Sequence, residues 1–162
     1  MTTPRRILGI DPGLAITGYG VLEFSPARPI LREAGIIRTA DDDAIDMAEK
    51  VLSVYKGVVE VIAQFQPEAM AVEQLYAHYD HPRTAILMGH ARGVILLAAA
   101  EGGLEIKQYS PATVKKTVVG VGSAAKAQVG AMVARLLRLK AAPRPADAAD
   151  GVAVALTCII RS

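Results

Sequence analysis

Two aspartates stand three residues apart near the start of an apolar C-terminal segment. They are Asp147 and Asp150 in the stretch PADAADGV, and a spacing of three places both side chains on one face of a helix. One explanation is structural, because Asp147 can cap the helix and Asp150 can interact with the positive end of its dipole. The other is chemical, because carboxylates can hold a divalent cation. The pair by itself does not decide between the two.

Two more carboxylates lie far away in the chain, each at the end of an apolar run. Asp11 follows RRILGI, and Glu73 follows AMAV. Two buried strands that each end in an acid can bring both acids to one edge of a sheet. Each acid also has an ordinary explanation, because an aspartate before Pro-Gly often only starts a turn. A glutamate after a strand often only faces water.

Four carboxylates gathered in one place would need cations to neutralise them. Two like charges about 4 Å apart repel by roughly 4 kcal/mol at an effective dielectric constant of 20. Magnesium or manganese, which prefer oxygen ligands, turns this repulsion into attraction. Two such ions about 3.5–4 Å apart can align an attacking water and the leaving oxygen of a phosphodiester. The acids are therefore candidates for a metal-dependent phosphodiesterase site.

The basic residues are concentrated in one segment, although the net charge of the chain is only +2. Between Lys107 and Arg144 there are eight Lys and Arg residues and no Asp or Glu. Such a segment is either a solvated face or a surface for a polyanion, most simply a nucleic acid. Within it, Lys126 falls in the first turn of a helix predicted to begin at Ser123. Free backbone N–H groups there, together with the ammonium, form a natural phosphate site, unless the nearby glycines only shape a turn.

The composition predicts one globular domain spanning residues 1–162. The chain is 52% hydrophobic and 21% charged, which is typical of soluble domains. Its single cysteine, Cys158, excludes a disulfide framework and is consistent with a reducing cytoplasm. The longest apolar run, residues 94–100, is much shorter than a membrane span, so no membrane association is expected.

The hydrophobic pattern predicts an α/β domain with a mixed central sheet flanked by helices. Three early strands should form an antiparallel meander, and a helix capped among Asp41–Asp43 should follow and end before Pro67. A helix that is apolar nearly all round should be buried or pack on a partner chain. The predicted strands are 5–11, 16–24, 30–39, 69–72 and 104–109, and the later helices are 82–101, a short one after Ser110, 123–139 and about 147–160.

Five ordered motifs carry a resemblance to a known family. GIDPG with TGYGV, AVEQLY, HARGV, VKKTVVGVGSAAKAQV and ADAADGVAVAL resemble the RuvC Holliday junction resolvases over about residues 5–160. The resemblance implies an RNase H-like fold, a homodimer and magnesium-dependent cutting of four-way DNA junctions by paired nicks in recombination and repair. It implies that Asp11, Glu73, Asp147 and Asp150 are the catalytic, metal-binding residues. Two magnesium ions per site are expected, with manganese as an alternative, and a RuvA–RuvB branch-migration complex is the expected partner.

The resemblance also implies several DNA contacts. Lys115 and Lys126 match lysines that lie near the DNA in the family, and Tyr76 matches an aromatic residue that stacks on a base at the junction centre. Lys116 is the neighbour of Lys115, so one of these two must face away from the DNA. Arg83 is added because residues 75–84 interleave aromatic and basic side chains next to Glu73.

Other interpretations of these residues remain open from the sequence. An RNase H-like nuclease that processes structured RNA would use the same carboxylates, and a non-catalytic junction-binding protein would use them only as caps. GIDPG and TGYG also suggest a sugar-kinase-like ATPase, but such proteins duplicate this fold, and 162 residues hold one copy. His78 and His81 without cysteine partners are weak indications of zinc. The apolar helix 82–101 is the hypothesised dimer seam.

Overall fold

The computed structural model describes residues 5–39, 45–75 and 81–162. Within these ranges the chain forms five strands and five helices. The strands are β1 (Arg5–Asp11), β2 (Ile16–Phe24), β3 (Pro29–Arg38), β4 (Ala69–Glu73) and β5 (Glu105–Tyr109). The helices are α1 (Met47–Phe65), α2 (Pro82–Glu101), α3 (Pro111–Val118), α4 (Lys126–Leu136) and α5 (Ala146–Arg161).

The five strands form one mixed sheet in the order β3-β2-β1-β4-β5. The antiparallel meander predicted for the first three strands is confirmed, since β1 pairs with β2 and β2 with β3 in antiparallel register. Strands β4 and β5 add in parallel beside β1. Ile10 lies opposite Val72 in the parallel ladder, so the next residues, Asp11 and Glu73, end neighbouring strands at one edge of the sheet.

The alternation of side chains along the strands decides which helices these acids face. Leu8 and Ile10 of β1 belong to the core formed with α1 and α2. Ile7 lies in the opposite core, which is formed with α3, α4 and α5. Successive side chains point to opposite faces of a sheet, so Asp11 shares the face of Ile7. Ala69 and Ala71 of β4 also lie on that face, which places Glu73 there too.

Helix α5 approaches the backbones of β1 and β2 closely at glycines of these two strands. A methyl group added to Gly18 would lie 1.8 Å from the carbonyl oxygen of Asp147, and one added to Gly9 would lie 2.3 Å from that of Gly151. Only glycine permits this approach. The contact brings the N-terminal part of α5, with Asp147 and Asp150, against the sheet edge that carries Asp11.

Two helix starts differ from the predictions. Helix α1 is capped by Asp46, whose side chain accepts from the Glu49 backbone N–H at 2.9 Å, so the predicted cap among residues 41–43 is wrong. Those three residues lie outside the described residues. Helix α4 begins at Lys126 rather than after Ser123, because the Gln128 side chain accepts from the Ala125 N–H at 2.8 Å and satisfies the start of the helix there.

Helix α2 is long and apolar enough to qualify by length and composition as a membrane span, which the short apolar run 94–100 did not suggest. Of the 18 residues in the most apolar stretch of this helix, only 22% are buried in the protein. Its buried residues are Ala91, Ile95, Ala98 and Ala99. Part of the apolar surface of α2, including Ile86 and Leu97, therefore faces outward.

Candidate active site

Asp11, Glu73 and Asp150 line one small cavity of about 170 Å³. Asp11 and Glu73 reach it from the ends of β1 and β4, and Asp150 reaches it from the first turns of α5. Lys115 of α3 and Lys126 of α4 are the other charged residues in its wall, among those that the structure describes. Three segments that are distant in sequence thus meet at the edge of the sheet, as the sequence interpretation required.

Asp147 lies at the margin of this group rather than in the cavity wall. It is partly exposed, and its charge raises the pKa of both Lys126 and Asp150. Residues three apart on a helix point only about 60° apart around its axis, and they differ by about 4.5 Å along it. The two aspartates therefore share a face of α5, as predicted, but Asp150 sits deeper.

Burial and mutual repulsion raise the pKa values of all three cavity carboxyls. Burial is the largest cause at Asp11, and the neighbouring Glu73 charge raises its pKa further. Asp11 and Glu73 share a hydrogen bond, which lowers the pKa of Glu73, but burial outweighs it and the net direction is upward. Burial also raises the pKa of Asp150, against the opposing effect of Lys126. The folded chain therefore disfavours the charged form of all three carboxyls, chiefly through burial.

Lys126 forms an incomplete ion pair with Asp150. Its Nζ lies 3.0 Å from Asp150 Oδ2, yet among the described residues that buried oxygen has no partner with hydrogen-bond geometry. The lysine side chain is 68% exposed, whereas the aspartate side chain is only 17% exposed. A buried carboxylate oxygen with an unaligned cation beside it is poorly satisfied.

The donor set is suited to magnesium or manganese. The cavity offers carboxylate oxygens from three segments and one buried oxygen that lacks a donor, and these hard cations prefer such ligands. The side chains are not drawn together around an ion: in the described part of the chain no three His, Cys, Asp or Glu groups are close enough to hold one. The residues thus fit a divalent cation by chemistry and burial, with Lys126 standing beside Asp150.

The predicted DNA-contact residues fall in different places. Lys115 and Lys126 line the cavity, whereas Lys116 is exposed on α3 and does not line it. This separates the two adjacent lysines that the sequence could not distinguish. Arg83 is exposed in the first turn of α2, and Tyr76 lies outside the described residues.

Several residues that position the carboxylates had no assigned role in the sequence. Arg92 of α2 donates from Nε to the backbone carbonyl of Glu73 at 3.3 Å and from its guanidinium to the Gln108 side chain, which ties the end of β4 to β5. Thr17 is fully buried and donates from its hydroxyl to the Gly13 carbonyl at 2.6 Å, which closes the turn after Asp11. Thr17 lies within TGYGV, the stretch that also contains Gly18. Its position as an isolated polar residue in an apolar strand was the sequence signal that could have indicated this role.

Comparisons with known proteins show the family of the chain. The family model described as "Crossover junction endodeoxyribonuclease RuvC" matches residues 7–158. The chain belongs to the RuvC family. A RuvC protein of Rhodopirellula baltica is 49% identical over 150 residues, which are 93% of this chain and 83% of that protein. A RuvC of Desulforamulus reducens is 45% identical over 93% of this chain and 90% of its own.

The structure is also similar to that of a solved RuvC. The T. thermophilus RuvC in complex with Holliday junction substrate superimposes with a TM-score of 0.88 at 36% identity, covering 97% of this chain and 94% of that one. The predicted α/β RNase H-like fold, with its mixed sheet flanked by helices, is thereby confirmed. As a member of the RuvC family, the chain is a crossover junction endodeoxyribonuclease.

Proposed function

We propose that this RuvC-family chain is a structure-selective endonuclease that resolves four-way DNA junctions. It does so by paired symmetric nicks, through divalent-metal-dependent hydrolysis of phosphodiesters, in homologous recombination and DNA repair. The observation that carries this proposal is the meeting of Asp11, Glu73 and Asp150 with two lysines in one cavity. A relative of the same fold that is bound to a Holliday junction supports the choice of substrate.

Asp11, Glu73, Asp147 and Asp150 would hold the ions, which are most simply two Mg²⁺ per site, with Mn²⁺ as an alternative. When bound, such ions neutralise negative charge on the phosphate and lower the pKa of water. The carboxylates come from three backbone elements fixed by the sheet and by the glycine contact of α5, so their positions are set before substrate arrives. Burial keeps the effective dielectric low, which strengthens every charge interaction in the cavity.

The lysines would hold the scissile strand. Lys115 and Lys126 line the cavity, where their ammonium groups can contact backbone phosphates without reading sequence. Arg83, exposed outside the cavity, would contact phosphates farther along the junction arms, whereas Lys116, which does not line the cavity, would be the lysine that faces away from the DNA. Tyr76, three residues after Glu73, would stack on a base at the junction centre.

A homodimer would cover the outward apolar face of α1 and α2. A groove of about 330 Å³ between these helices is lined by Val51, Leu52, Tyr55, Val94 and Leu97, with Ala48. Leu52 and Leu97 are 47% and 52% exposed, and neighbouring apolar side chains of this size mark interaction surfaces. A second copy is the preferred occupant because a twofold dimer matches the two strands that must be nicked.

A membrane is a weaker explanation for the apolar surface of α2. Arg92 lies in the middle of the helix and is tied to Glu73 and Gln108 of the sheet. A charged side chain at the centre of a bilayer is costly. We therefore place the protein in the cytoplasm as one nuclease domain over residues 1–162, acting with a RuvA–RuvB branch-migration complex.

Cleavage of a synthetic four-way DNA junction tests the proposal directly. The protein is incubated with the junction in Mg²⁺, in Mn²⁺ and in EDTA, and the product ends are mapped. We expect symmetric nicks in two strands of like polarity, with 5′-phosphate and 3′-hydroxyl ends, only when a divalent ion is present. A linear duplex of the same sequence is the matched control and should remain intact.

Two results would redirect the assignment. Cleavage of a structured RNA with the junction left intact would favour an RNA-processing nuclease. Binding of the junction without cleavage in any divalent ion would favour a binding protein in which the acids only cap and pack.

A further inference from the structure

Lys126 occupies the place of a counter-cation in the carboxylate cavity. Its ammonium lies 3.0 Å from Asp150 Oδ2, and the charges of Asp11 and Asp147 also act on it. Lys115 lines the same cavity but forms no ion pair with a described carboxylate within 4.0 Å. Lys126 is therefore paired with a cavity carboxylate and Lys115 is not, although both carry one positive charge.

The ion pair between Lys126 and Asp150 is weak and can be exchanged for another contact. Asp150 is fixed in the wall of the cavity, whereas the Lys126 side chain is 68% exposed and reaches in from solvent. Ion pairs with an exposed partner contribute little stability, and the flexible four-carbon stem of a lysine can move its ammonium to another acceptor. The contact also lacks hydrogen-bond geometry at Oδ2.

We propose that Lys126 stands in for a divalent cation at Asp150 in the free protein and is displaced when that ion binds. Displacement releases the ammonium from the carboxylate and turns it toward backbone phosphate. This inference rests on the proposed metal-dependent function. It adds that one lysine serves both states, as an internal cation without metal and as a phosphate contact with it.

The exchange couples metal binding to DNA binding. A divalent ion that must displace Lys126 binds the free protein more weakly than it would bind the carboxylates alone. A phosphate that draws the ammonium away removes this competition, so DNA and metal strengthen one another's binding by the same factor. The free protein would then hold metal weakly until a junction strand enters the cavity.

Calorimetric titration with Mn²⁺, without DNA, tests the displacement. We compare the wild type with Lys126→Met, which keeps an apolar stem and removes the charge, and with Lys115→Met as the matched control in the same cavity. Loss of the competing contact should tighten Mn²⁺ binding about tenfold or more in Lys126→Met, and at most about threefold in Lys115→Met. Lys126→Arg keeps the charge and should bind Mn²⁺ much less tightly than Lys126→Met.

Thermal denaturation gives a second readout and checks that the variants fold. Lys126→Met should have a lower Tm than the wild type in EDTA, because buried Asp150 loses its neighbouring charge. Saturating Mn²⁺ should raise the Tm of Lys126→Met by more than that of the wild type, since the ion supplies the missing charge. Lys115→Met should show a smaller difference in both conditions.

The outcomes separate this inference from the function beneath it. If the wild type binds Mn²⁺ and Asp150→Asn does not, while Lys126→Met binds no more tightly than the wild type, displacement is wrong and the metal site stands. Equal tightening by Lys126→Met and Lys115→Met would also overturn displacement, because it would reflect net charge only. If neither the wild type nor Lys126→Met binds Mn²⁺ at millimolar concentration, the proposed metal site fails and the inference fails with it.

Discussion

The two ends of the central sheet hold their carboxylates in opposite electrostatic states. At one end, Glu23 of β2 accepts from Arg6 Nε at 3.0 Å and from Arg32 Nε and Nη2 at 3.0 and 2.9 Å. These bonds, chiefly those from Arg32, lower the pKa of Glu23 to about 2. At the other end, burial raises the pKa values of Asp11, Glu73 and Asp150.

The difference shows which carboxylates are completed by the chain itself. Glu23 has two arginines on neighbouring strands, so its charge is satisfied in the folded protein. The three cavity acids face two lysines, of which one is paired at 3.0 Å. Buried carboxyls with raised pKa values are concentrated at functional sites. The Glu23 carboxylate is thus neutralised within the fold, and we propose that cations from solution complete the Asp11 end.

The largest expected effect comes from removing one charge at each end. Asp11→Asn should reduce junction cleavage by about 10³-fold or more, because one of the carboxylates proposed to hold the metal ions is lost. Glu23→Gln should leave cleavage at saturating DNA within about twofold, provided that the assay temperature is below its Tm. Single-turnover cleavage in Mg²⁺ measures both variants, and filter binding in EDTA should show that Asp11→Asn still binds the junction. A comparable loss in both variants would remove the distinction between the two ends.

The next effect tests the glycine contact that positions the active end. Gly18→Ala places a methyl group 1.8 Å from the Asp147 carbonyl oxygen, so α5 must shift or the protein must lose about 1–3 kcal/mol of unfolding free energy. Gly122→Ala is the control, since its added carbon would lie an ordinary 3.6 Å from the nearest atom. Urea denaturation of both variants measures the cost. Equal stabilities would show that α5 does not depend on this approach.

The pH dependence of stability should have opposite signs at the two ends. The lowered pKa of Glu23 contributes stability above its usual value of 4.5, and this stability is lost as the pH falls toward about 2. Glu23→Gln should therefore lower the Tm at pH 7 and cost less as the solution is acidified. The raised pKa of Asp11 makes its ionisation unfavourable to folding as the pH rises above 3.8.

Asp11→Asn should consequently raise the Tm at pH 7 in EDTA, and this gain should shrink in acid. Each kcal/mol corresponds to a Tm change of about 2–4 °C in a protein of this size. Thermal melts of the two variants from pH 3 to pH 8 measure both trends. Shifts of the same sign at neutral pH would contradict the contrast between a satisfied and an unsatisfied carboxylate.

The smallest effects separate two neighbouring lysines of α3. Lys115 lines the cavity, and Lys116 is exposed outside it. Lys115→Ala should reduce the salt dependence of junction binding by about one phosphate contact and also slow cleavage, whereas Lys116→Ala should leave both nearly unchanged. Binding at several KCl concentrations, together with single-turnover rates, distinguishes them. Slower cleavage from Lys116→Ala at saturating DNA would show that the assignment is reversed.

The sequence was sufficient for the elements because local patterns determine them. The strand that ends at Asp11 is found with its predicted bounds, and the antiparallel meander that it begins follows from short turns such as Pro12-Gly13. The helix caps were less predictable. Asp46 rather than residues 41–43 caps α1, and Ala125 rather than Ser123 precedes α4, because several residues of suitable type were available and the local backbone path chose between them.

The candidate site could be predicted in its members but not in its contacts. Apolar strands ending in Asp11 and Glu73 indicated a shared edge, and parallel pairing places them there. The ion pair of Lys126 with Asp150, the bond from Arg92 to the Glu73 carbonyl and the approach of α5 to Gly18 all join distant segments. No local pattern encodes such contacts, because they arise only when the helices are docked on the sheet.

Divalent-ion binding by single carboxylate variants tests the central claim most directly. The wild type, Asp11→Asn, Glu73→Gln and Asp150→Asn are each titrated with Mn²⁺ in a calorimeter without DNA, with Glu23→Gln as the control. If the three acids share their ions, each of the three cavity variants should bind Mn²⁺ at least about tenfold more weakly than the wild type, and the control should match it. Undiminished binding in any two of the three cavity variants would contradict a common metal site.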